Sequence, residues 1–167
     1  PNAGKSSLLN WLVGEKIAMV SHKANATRRR SNIIVMHEDD QIIFVDTPGY
    51  HISDKKLNLR LREIVLQSIS EVDLILYLID ATREPGKEEE AIAELLSKDI
   101  HRIVVAINKI DDPEARPLLI EEFIIPRLRG AKRVSISAVE KTNLESLIEV
   151  LFSLAPEGPF WYPEDIY

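Results

Sequence analysis

Two near-continuous apolar runs, residues 73–80 (DLILYLID) and 102–108 (RIVVAIN), constrain the fold of this chain more than any other feature. A strand with one face in water alternates apolar and polar side chains, whereas a strand covered on both faces is apolar throughout. Residues 88–96, between the two runs, carry a helical pattern. Two buried strands joined by a helix predict a mainly parallel sheet with helices on both faces.

The remaining segments also divide into strands and helices. The polar stretch 37–40 separates two strand patterns and predicts an antiparallel hairpin. A capping-box pattern at residues 142–145 predicts the start of a last helix. The other predicted elements are helices over residues 6–13, 57–69 and 114–129, the third containing Pro117 and Pro126, and strands over residues 31–36, 41–45 and 134–136.

Composition excludes several classes of protein. The chain has 167 residues, 45% of them hydrophobic, which is enough for one domain with a substantial core. Its net charge of −6 provides no overall basic field for nucleic acid or anionic lipid. The absence of cysteine excludes disulfides and thiolate metal sites and fits a cytoplasmic protein. No apolar run approaches the ~20 residues that cross a bilayer.

Ligands of open α/β sheets bind at the carboxyl ends of the strands, so chemical motifs are expected directly after strands. At the start of the chain, PNAGKSS reads as the end of a phosphate-binding loop, GxxxxGK[ST], without its first glycine. Successive backbone N–H groups of such a loop, here including Ala3 and Ser7, hold phosphate. Gly4 would let the backbone approach the phosphate, Lys5 would reach the β- and γ-phosphates, and the Ser6 hydroxyl would bind magnesium. The strand that precedes such a loop is missing from the sequence.

The segment Asp46-Thr47-Pro48-Gly49 follows the strand predicted over residues 41–45. Asp46 could hold magnesium through water, and the Gly49 N–H could sense a γ-phosphate. A plain turn is the alternative, because Asp, Pro and Gly are all turn-forming residues.

The segment Asn108-Lys109-Ile110-Asp111 follows the second apolar run. The Asp111 carboxylate suits the N1–H and 2-amino donors of guanine, which adenine does not offer. Asn108 could tie adjacent loops together, and the stem of Lys109 could lie along the base plane. The alternative is an ordinary loop in which Asp111 or Asp112 caps the next helix.

Two further positions carry chemistry only in the context of these motifs. Ser137-Ala138 follows the strand over residues 134–136, and a backbone N–H there would suit the guanine O6. The Thr27 hydroxyl could complete a magnesium shell when a γ-phosphate is present. Basic residues around Thr27, including residues 28–30, suit phosphate or RNA as well as they suit a solvated loop.

This ordered set of motifs resembles the GTPase superfamily over residues 1–154. The resemblance implies an α/β fold, the three-layer sandwich of P-loop NTPases, with a mostly parallel sheet, one antiparallel hairpin strand and the first strand missing. It implies a GTPase domain over residues 1–155 and a linker over residues 156–167. It also implies catalytic roles for Asn2, Lys5, Thr27 and Gly49, with Asn2 among the nucleotide-binding residues.

The loop PNAGKS, the stretch VSHKANATRRR, Tyr50 and the tail YPED narrow the resemblance to the Era family of bacterial ribosome-assembly GTPases. Ala24 and Ala26 depart from that family's KPQTTR pattern but leave Thr27 in place. The MnmE and Der families, which share the asparagine in the loop, are the alternatives. The resemblance implies GTP or GDP with Mg²⁺, and an RNA-binding KH domain, absent here, that binds ribosomal RNA of the small ribosomal subunit. It further implies a cytoplasmic location with peripheral association at the inner membrane, and indicates no stable protein partner.

Tyr50 occupies the position at which Ras-like enzymes have a glutamine that orients the attacking water. The resemblance therefore implies slow intrinsic GTP hydrolysis, raised by a K⁺ ion that Asn2 helps to hold. Two other functions stay open from the residues alone: a binding module gated by nucleotide with negligible hydrolysis, and an ATP-using P-loop enzyme.

Overall fold

The computed structural model of the chain describes residues 3–14, 18–21, 32–45, 63, 66, 67 and 69–159. Its strands form two three-stranded sheets, one antiparallel in the order β1-β2-β3 and one parallel in the order β4-β5-β6. The strands are β1 (Ala18–Ser21), β2 (Asn32–His37), β3 (Asp40–Val45), β4 (Ile75–Asp80), β5 (Ile103–Asn108) and β6 (Lys132–Ser135). The helices are α1 (Lys5–Gly14), α2 (Lys87–Leu96), α3 (Pro117–Arg127) and α4 (Leu144–Leu154), with a 3₁₀ segment at Ser97–Arg102.

Strand β5 is the centre of the parallel sheet, and all six of its residues are buried. Ile103, Val105 and Ile107 pack with α2 and α3, whereas Val104 and Ala106 pack with α1, α4 and the β2–β3 hairpin. The predicted strand covered on both faces is therefore confirmed over residues 103–108, while Arg102 ends the preceding 3₁₀ segment. Because β4, β5 and β6 run parallel, their carboxyl ends lie along one edge of the sheet.

The antiparallel part is larger than the predicted hairpin, because β1 adds a third strand to it. Its register pairs Ala18 with Val35 and Ser21 with Asn32. The sequence pattern predicts no strand at these residues. Four residues are too few to display an alternating pattern, and pairing with β2 rather than the local sequence defines this strand.

The hairpin turn and helix α3 are shorter than predicted. Residues 38 and 39 alone form the turn between β2 and β3, since His37 already pairs with Asp40. Helix α3 begins at Pro117, where a missing N–H costs nothing, and ends one residue after Pro126. Of the helix predicted over residues 57–69, only residues 63, 66, 67 and 69 are described, and they are helical. Among the described residues, no helix is both long and apolar enough to span a membrane.

The predicted capping box at the start of α4 is wrong. Asn143 is the N-cap residue, but it has a left-handed backbone (φ 57°) and makes no side-chain cap. Its amide instead donates to the Ser135 carbonyl at 2.8 Å. Thr142 exchanges two backbone hydrogen bonds with Ser137, at 3.0 and 3.1 Å. Tertiary contacts with the loop after β6 therefore replace local capping.

This arrangement predicts that substitution of one of two neighbouring residues lowers stability strongly, whereas substitution of the other has little effect. Asn143→Val should lower the free energy of unfolding by about 2 kcal/mol, because a β-branched residue tolerates the left-handed backbone poorly and loses the bond to Ser135. Thr142→Ala should change it by less than about 0.5 kcal/mol, since the Thr142 side chain is exposed and caps nothing. Urea denaturation of both variants checks this. A loss near 1 kcal/mol for Thr142→Ala would instead indicate that the Thr142 side chain caps the helix, as the capping-box pattern predicts.

Candidate nucleotide-binding site

Asn108, the last residue of β5, joins three loops at the carboxyl edge of the parallel sheet. Its side-chain Nδ2 donates to the Ala3 carbonyl at 2.7 Å, and its Oδ1 accepts from the Ala138 N–H at 3.0 Å. The residue is 1% exposed, so both bonds are shielded from water. The loop before α1, the loop after β5 and the loop after β6 are thereby fixed relative to one another.

Gly4 lies directly against this asparagine. It has a left-handed backbone (φ 97°), and a Cβ at this position would lie 2.0 Å from Asn108 Nδ2. Only glycine fits both the backbone conformation and the available space. Helix α1 begins at the next residue, Lys5, and the Leu8 N–H donates to the Gly4 carbonyl at 3.0 Å. The N–H groups of its first turn, which includes Ser6 and Ser7, therefore present the kind of surface that binds anions.

The two acidic residues after Ile110 have different surroundings. Asp112 holds the turn, because its Oδ1 accepts from the Glu114 N–H at 2.8 Å. Asp111 is exposed, and no hydrogen bond or ion pair of its carboxylate is found within the described part of the chain. Asp112 is thus the acidic residue that shapes the loop. The Asp111 carboxylate remains open to a ligand.

Lys109 has a partner that the sequence pattern does not predict. Its Nζ lies 2.6 Å from Oδ2 of Asp80, the last residue of β4. The register of the parallel sheet pairs Asp80 with Asn108, which places the acid beside the loop that Lys109 begins. An acidic residue at the end of a fully apolar strand was the available sequence signal. The lysine to which it binds could not be read from the sequence.

Asp80 is held ionised by its neighbours. Burial by itself raises the pKa of this carboxyl, but hydrogen bonds from Lys109 and from the Thr82 hydroxyl and amide outweigh burial and place its pKa below the ordinary value of 3.8. The Thr82 N–H and hydroxyl donate to Asp80 Oδ1 at 2.9 and 2.6 Å. At neutral pH the pair with Lys109 is therefore a true ion pair.

Ser137 and Ala138, in the loop after β6, both take part in hydrogen bonds within the protein. The Ala138 N–H, a candidate donor for a base oxygen, is directed at Asn108. Ser137 is fully buried, and its hydroxyl accepts from the Glu140 N–H at 2.9 Å. Both residues thus shape the loop and link it to Asn108.

Several predicted site residues lie outside the described residues: Asn2, Thr27, Asp46, Gly49 and Tyr50. The tail motif YPED lies outside them as well. Of the three predicted magnesium ligands, Ser6 alone is described, and it is exposed at the first turn of α1. The structure thus places Ala3 to Ser7, Asn108 to Asp111 and Ser137-Ala138 along one edge of the sheet.

Comparison with known proteins gives a consistent result. Residues 1–109 match the model of a family described as 50S ribosome-binding GTPase. The whole chain is 41% identical to GTPase Era of Treponema denticola and 39% identical to GTPase Era of Borrelia hermsii, and it spans 58% of each.

Solved structures give the same result. A crystal structure of a variant of Aquifex aeolicus Era bound to GDP.AlF4- superposes with a TM-score of 0.73 at 38% identity, over 99% of this chain and 57% of that one. The G domain of the Thermotoga maritima FeoB iron transporter, at 22% identity and a TM-score of 0.62 over 93% of this chain and 94% of that one, shares the fold. The predicted fold class is confirmed.

Proposed function

The chain belongs to the family of 50S ribosome-binding GTPases, and we propose that it acts as the nucleotide-controlled switch domain of an Era-type protein, binding GTP and GDP with Mg²⁺. Membership of this family confirms the prediction of a GTPase. The relatives named Era confirm the predicted resemblance to the Era family. The chain spans a little over half the length of those relatives. The action of the whole protein is therefore part of the proposal.

The buried side chain of Asn108 is the observation that carries the proposal. It connects the loop that would bind phosphate, at Ala3, to the loop that would bind the base, at Asp111. A nucleotide has both of these parts at a fixed separation, so a rigid connection between the two loops preorganises the site for it. A plain strand-to-helix loop has no need of such a connection.

The exposed Asp111 carboxylate gives the site its choice of base. A carboxylate accepts two parallel hydrogen bonds, and guanine offers them from N1–H and the 2-amino group. The same carboxylate meets an acceptor in adenine N1. We therefore assign guanine nucleotides rather than adenine nucleotides to this site.

The residues at the start of α1 fit magnesium and phosphate. Mg²⁺ prefers oxygen ligands, and the exposed Ser6 hydroxyl lies beside the first-turn N–H groups of α1. Ser6, Thr27 and Asp46 would hold the ion, which when bound would neutralise charge on the β- and γ-phosphates. Lys5 would add a positive charge to the same phosphates, and the Gly49 N–H would respond to the γ-phosphate.

Binding and hydrolysis test this function directly. A fluorescent GDP analogue should bind the full-length protein at least about 10³-fold more tightly than the matching ADP analogue. Single-turnover hydrolysis should convert bound GTP to GDP and phosphate faster than GTP dissociates. Equal affinity for the two bases would refute the guanine site. Dissociation of intact GTP without hydrolysis would favour the nucleotide-gated binding module.

We further propose that Asn2 helps to hold a K⁺ ion that raises the rate of hydrolysis. The proposal rests on the pair Asn2 and Tyr50, since tyrosine cannot orient water as a glutamine does. Single-turnover rates in matched potassium and sodium buffers test it. Equal rates would exclude a role for K⁺.

The ribosomal role rests on the resemblance to Era. We propose that the switch acts in small-subunit assembly, with ribosomal RNA bound by a KH domain outside this chain. The family model is described by binding to the 50S subunit. Co-sedimentation of the full-length protein, loaded with a non-hydrolysable GTP analogue, with purified 30S and 50S subunits distinguishes the two. Exclusive binding to 50S would overturn the small-subunit role.

A further inference from the structure

Lys109 occupies an unusual position in the base loop, which is the segment over residues 108–116 that joins β5 to α3. It has a left-handed backbone (φ 69°) and lies between Asn108, which joins the loops, and Asp111, which would bind the base. A left-handed conformation is costly for a residue other than glycine, so surrounding contacts must hold it. The strongest described contact of its side chain is the ion pair with Asp80, at 2.6 Å.

Asp80 is itself held in one orientation. One carboxylate oxygen faces Lys109, while the other accepts two hydrogen bonds from Thr82. Its side chain is 8% exposed, whereas that of Lys109 is 32% exposed. The acid is thus a fixed, buried anchor, and part of the lysine side chain remains accessible to a ligand.

The backbone of Ala81, directly after Asp80, is hydrogen-bonded to both ends of the base loop. The Ala81 N–H donates to the Asn108 carbonyl at 2.9 Å, and the Arg116 N–H donates to the Ala81 carbonyl at 2.7 Å. The end of β4 therefore supports the base loop from its start, at Asn108, to the start of α3. The ion pair adds a side-chain contact to this support at the residue next to the base.

We propose that Asp80 is a positioning residue of the guanine site. It anchors the Lys109 ammonium so that the lysine stem lies against the base and the loop keeps its turn before Asp111. This inference rests on the proposed function, because it assumes that a guanine base contacts Lys109. Asp80 contacts no ligand itself and acts through Lys109.

An ordinary stabilising ion pair is the competing explanation. Breaking a partly buried pair lowers stability whatever the pair does for a ligand. The two explanations differ in what is measured. A positioning residue changes nucleotide residence and depends on Lys109, whereas a stabilising pair changes the unfolding midpoint and adds to other changes.

The test is Asp80→Asn in the full-length protein. The amide keeps the shape and an acceptor for Thr82 but loses the charge that holds Lys109. We expect GDP to dissociate roughly tenfold faster and GDP affinity to fall by the same factor. The single-turnover rate at saturating GTP should stay within about twofold, since the phosphate site is untouched.

The same substitution in a Lys109→Ala protein shows whether Asp80 acts through Lys109. In a Lys109→Ala protein, adding Asp80→Asn should leave the GDP dissociation rate unchanged, because the residue through which it acts is gone. Thr82→Val, which removes one of the two donors that orient Asp80, should speed dissociation by about two- to threefold. Thr82→Val also serves as the test if Asp80→Asn does not fold.

The matched control is Glu84→Gln. Glu84 forms an exposed pair with Arg116 at 3.5 Å, beside the same loop, with side chains 77% and 68% exposed. Such a pair contributes little, so GDP dissociation should match the unmodified protein.

Two outcomes would overturn the positioning role: GDP dissociation unchanged in Asp80→Asn, whether or not the unfolding midpoint falls, or equal acceleration with and without Lys109. Each of these leaves guanine selectivity of the unmodified protein intact. Loss of that selectivity in the unmodified protein would instead refute the proposed function.

Discussion

Asp111→Asn is expected to shift base preference from guanine towards xanthine by about 10⁴-fold. Guanine presents donors at N1 and at the 2-amino group, whereas xanthine presents a donor at N1 and an acceptor at the 2-position. An asparagine offers one acceptor and one donor, which match N1–H and the 2-oxygen of xanthine. With guanine, the amide donor of asparagine would face the 2-amino donor of the base. Competition of GDP and XDP for a fluorescent nucleotide measures the shift.

The surroundings of Asp111 make this a clean experiment. The residue is exposed, and its neighbour Asp112 makes the hydrogen bond that shapes the turn. Removal of the Asp111 charge should therefore change the free energy of unfolding by less than about 0.5 kcal/mol. A loss of GDP binding would then report on the base contact and not on a damaged loop.

Asp112→Asn is the matched control, since it makes the same chemical change one residue later. Its side-chain oxygen can still accept from the Glu114 N–H, so the turn should persist. Base preference should remain that of the unmodified protein. If Asp112→Asn shifted preference and Asp111→Asn did not, Asp112 would be the base-binding residue and the assignment of Asp111 would be wrong.

The parallel part of the fold was readable from sequence for a physical reason. Residues 75–79 and 103–107 are apolar without alternation, because layers of helices cover both faces of β4 and β5. Motifs that follow such strands must meet at one edge of the sheet. The approach of Asn108 to Ala3 and Ala138 follows from that topology, although its two hydrogen bonds do not.

Three features were not readable, and each depends on a partner outside the segment that carries the sequence pattern. Asp80 meets Lys109 across 29 positions, and only the register of β4 and β5 brings them together. Strand β1 exists through its pairing with β2. The capping-box pattern at Thr142 was misleading, because Ser137 binds the backbone of Thr142 from the preceding loop. Local pattern thus failed where tertiary pairing competes with it.

Gly4→Ala should have the largest effect on the integrity of the site. Left-handed backbone costs an alanine roughly 1–2 kcal/mol relative to glycine. The new Cβ would also meet Asn108 Nδ2 at 2.0 Å, far inside van der Waals contact. Asn108 is buried and cannot move without losing its bonds to Ala3 and Ala138, each worth about 1–3 kcal/mol when left unmade.

These costs together lower the free energy of unfolding by at least about 3 kcal/mol. For a domain of this size, such a loss lowers the melting temperature by roughly 10 °C. Nucleotide affinity should fall by at least about 100-fold, since the loop proposed to bind phosphate loses its connection to the loop proposed to bind the base. Differential scanning calorimetry and GDP titration measure the two effects.

Gly14→Ala is the matched control. Gly14 ends α1, has no atom of the described residues within 4 Å of an added Cβ, and lacks the left-handed backbone of Gly4. The same methyl group there should leave GDP affinity unchanged and stability equal or slightly higher.

The role of Asn108 in the clash can be separated from backbone strain. In an Asn108→Ala protein the obstructing amide is absent, so adding Gly4→Ala should cost only the strain of about 1–2 kcal/mol. The single change in the unmodified protein should cost more than this. Such non-additivity is the expected sign of two groups in direct contact. Equal costs in both backgrounds would mean that Gly4 is required for its backbone alone, and that Asn108 does not limit the space beside the phosphate loop.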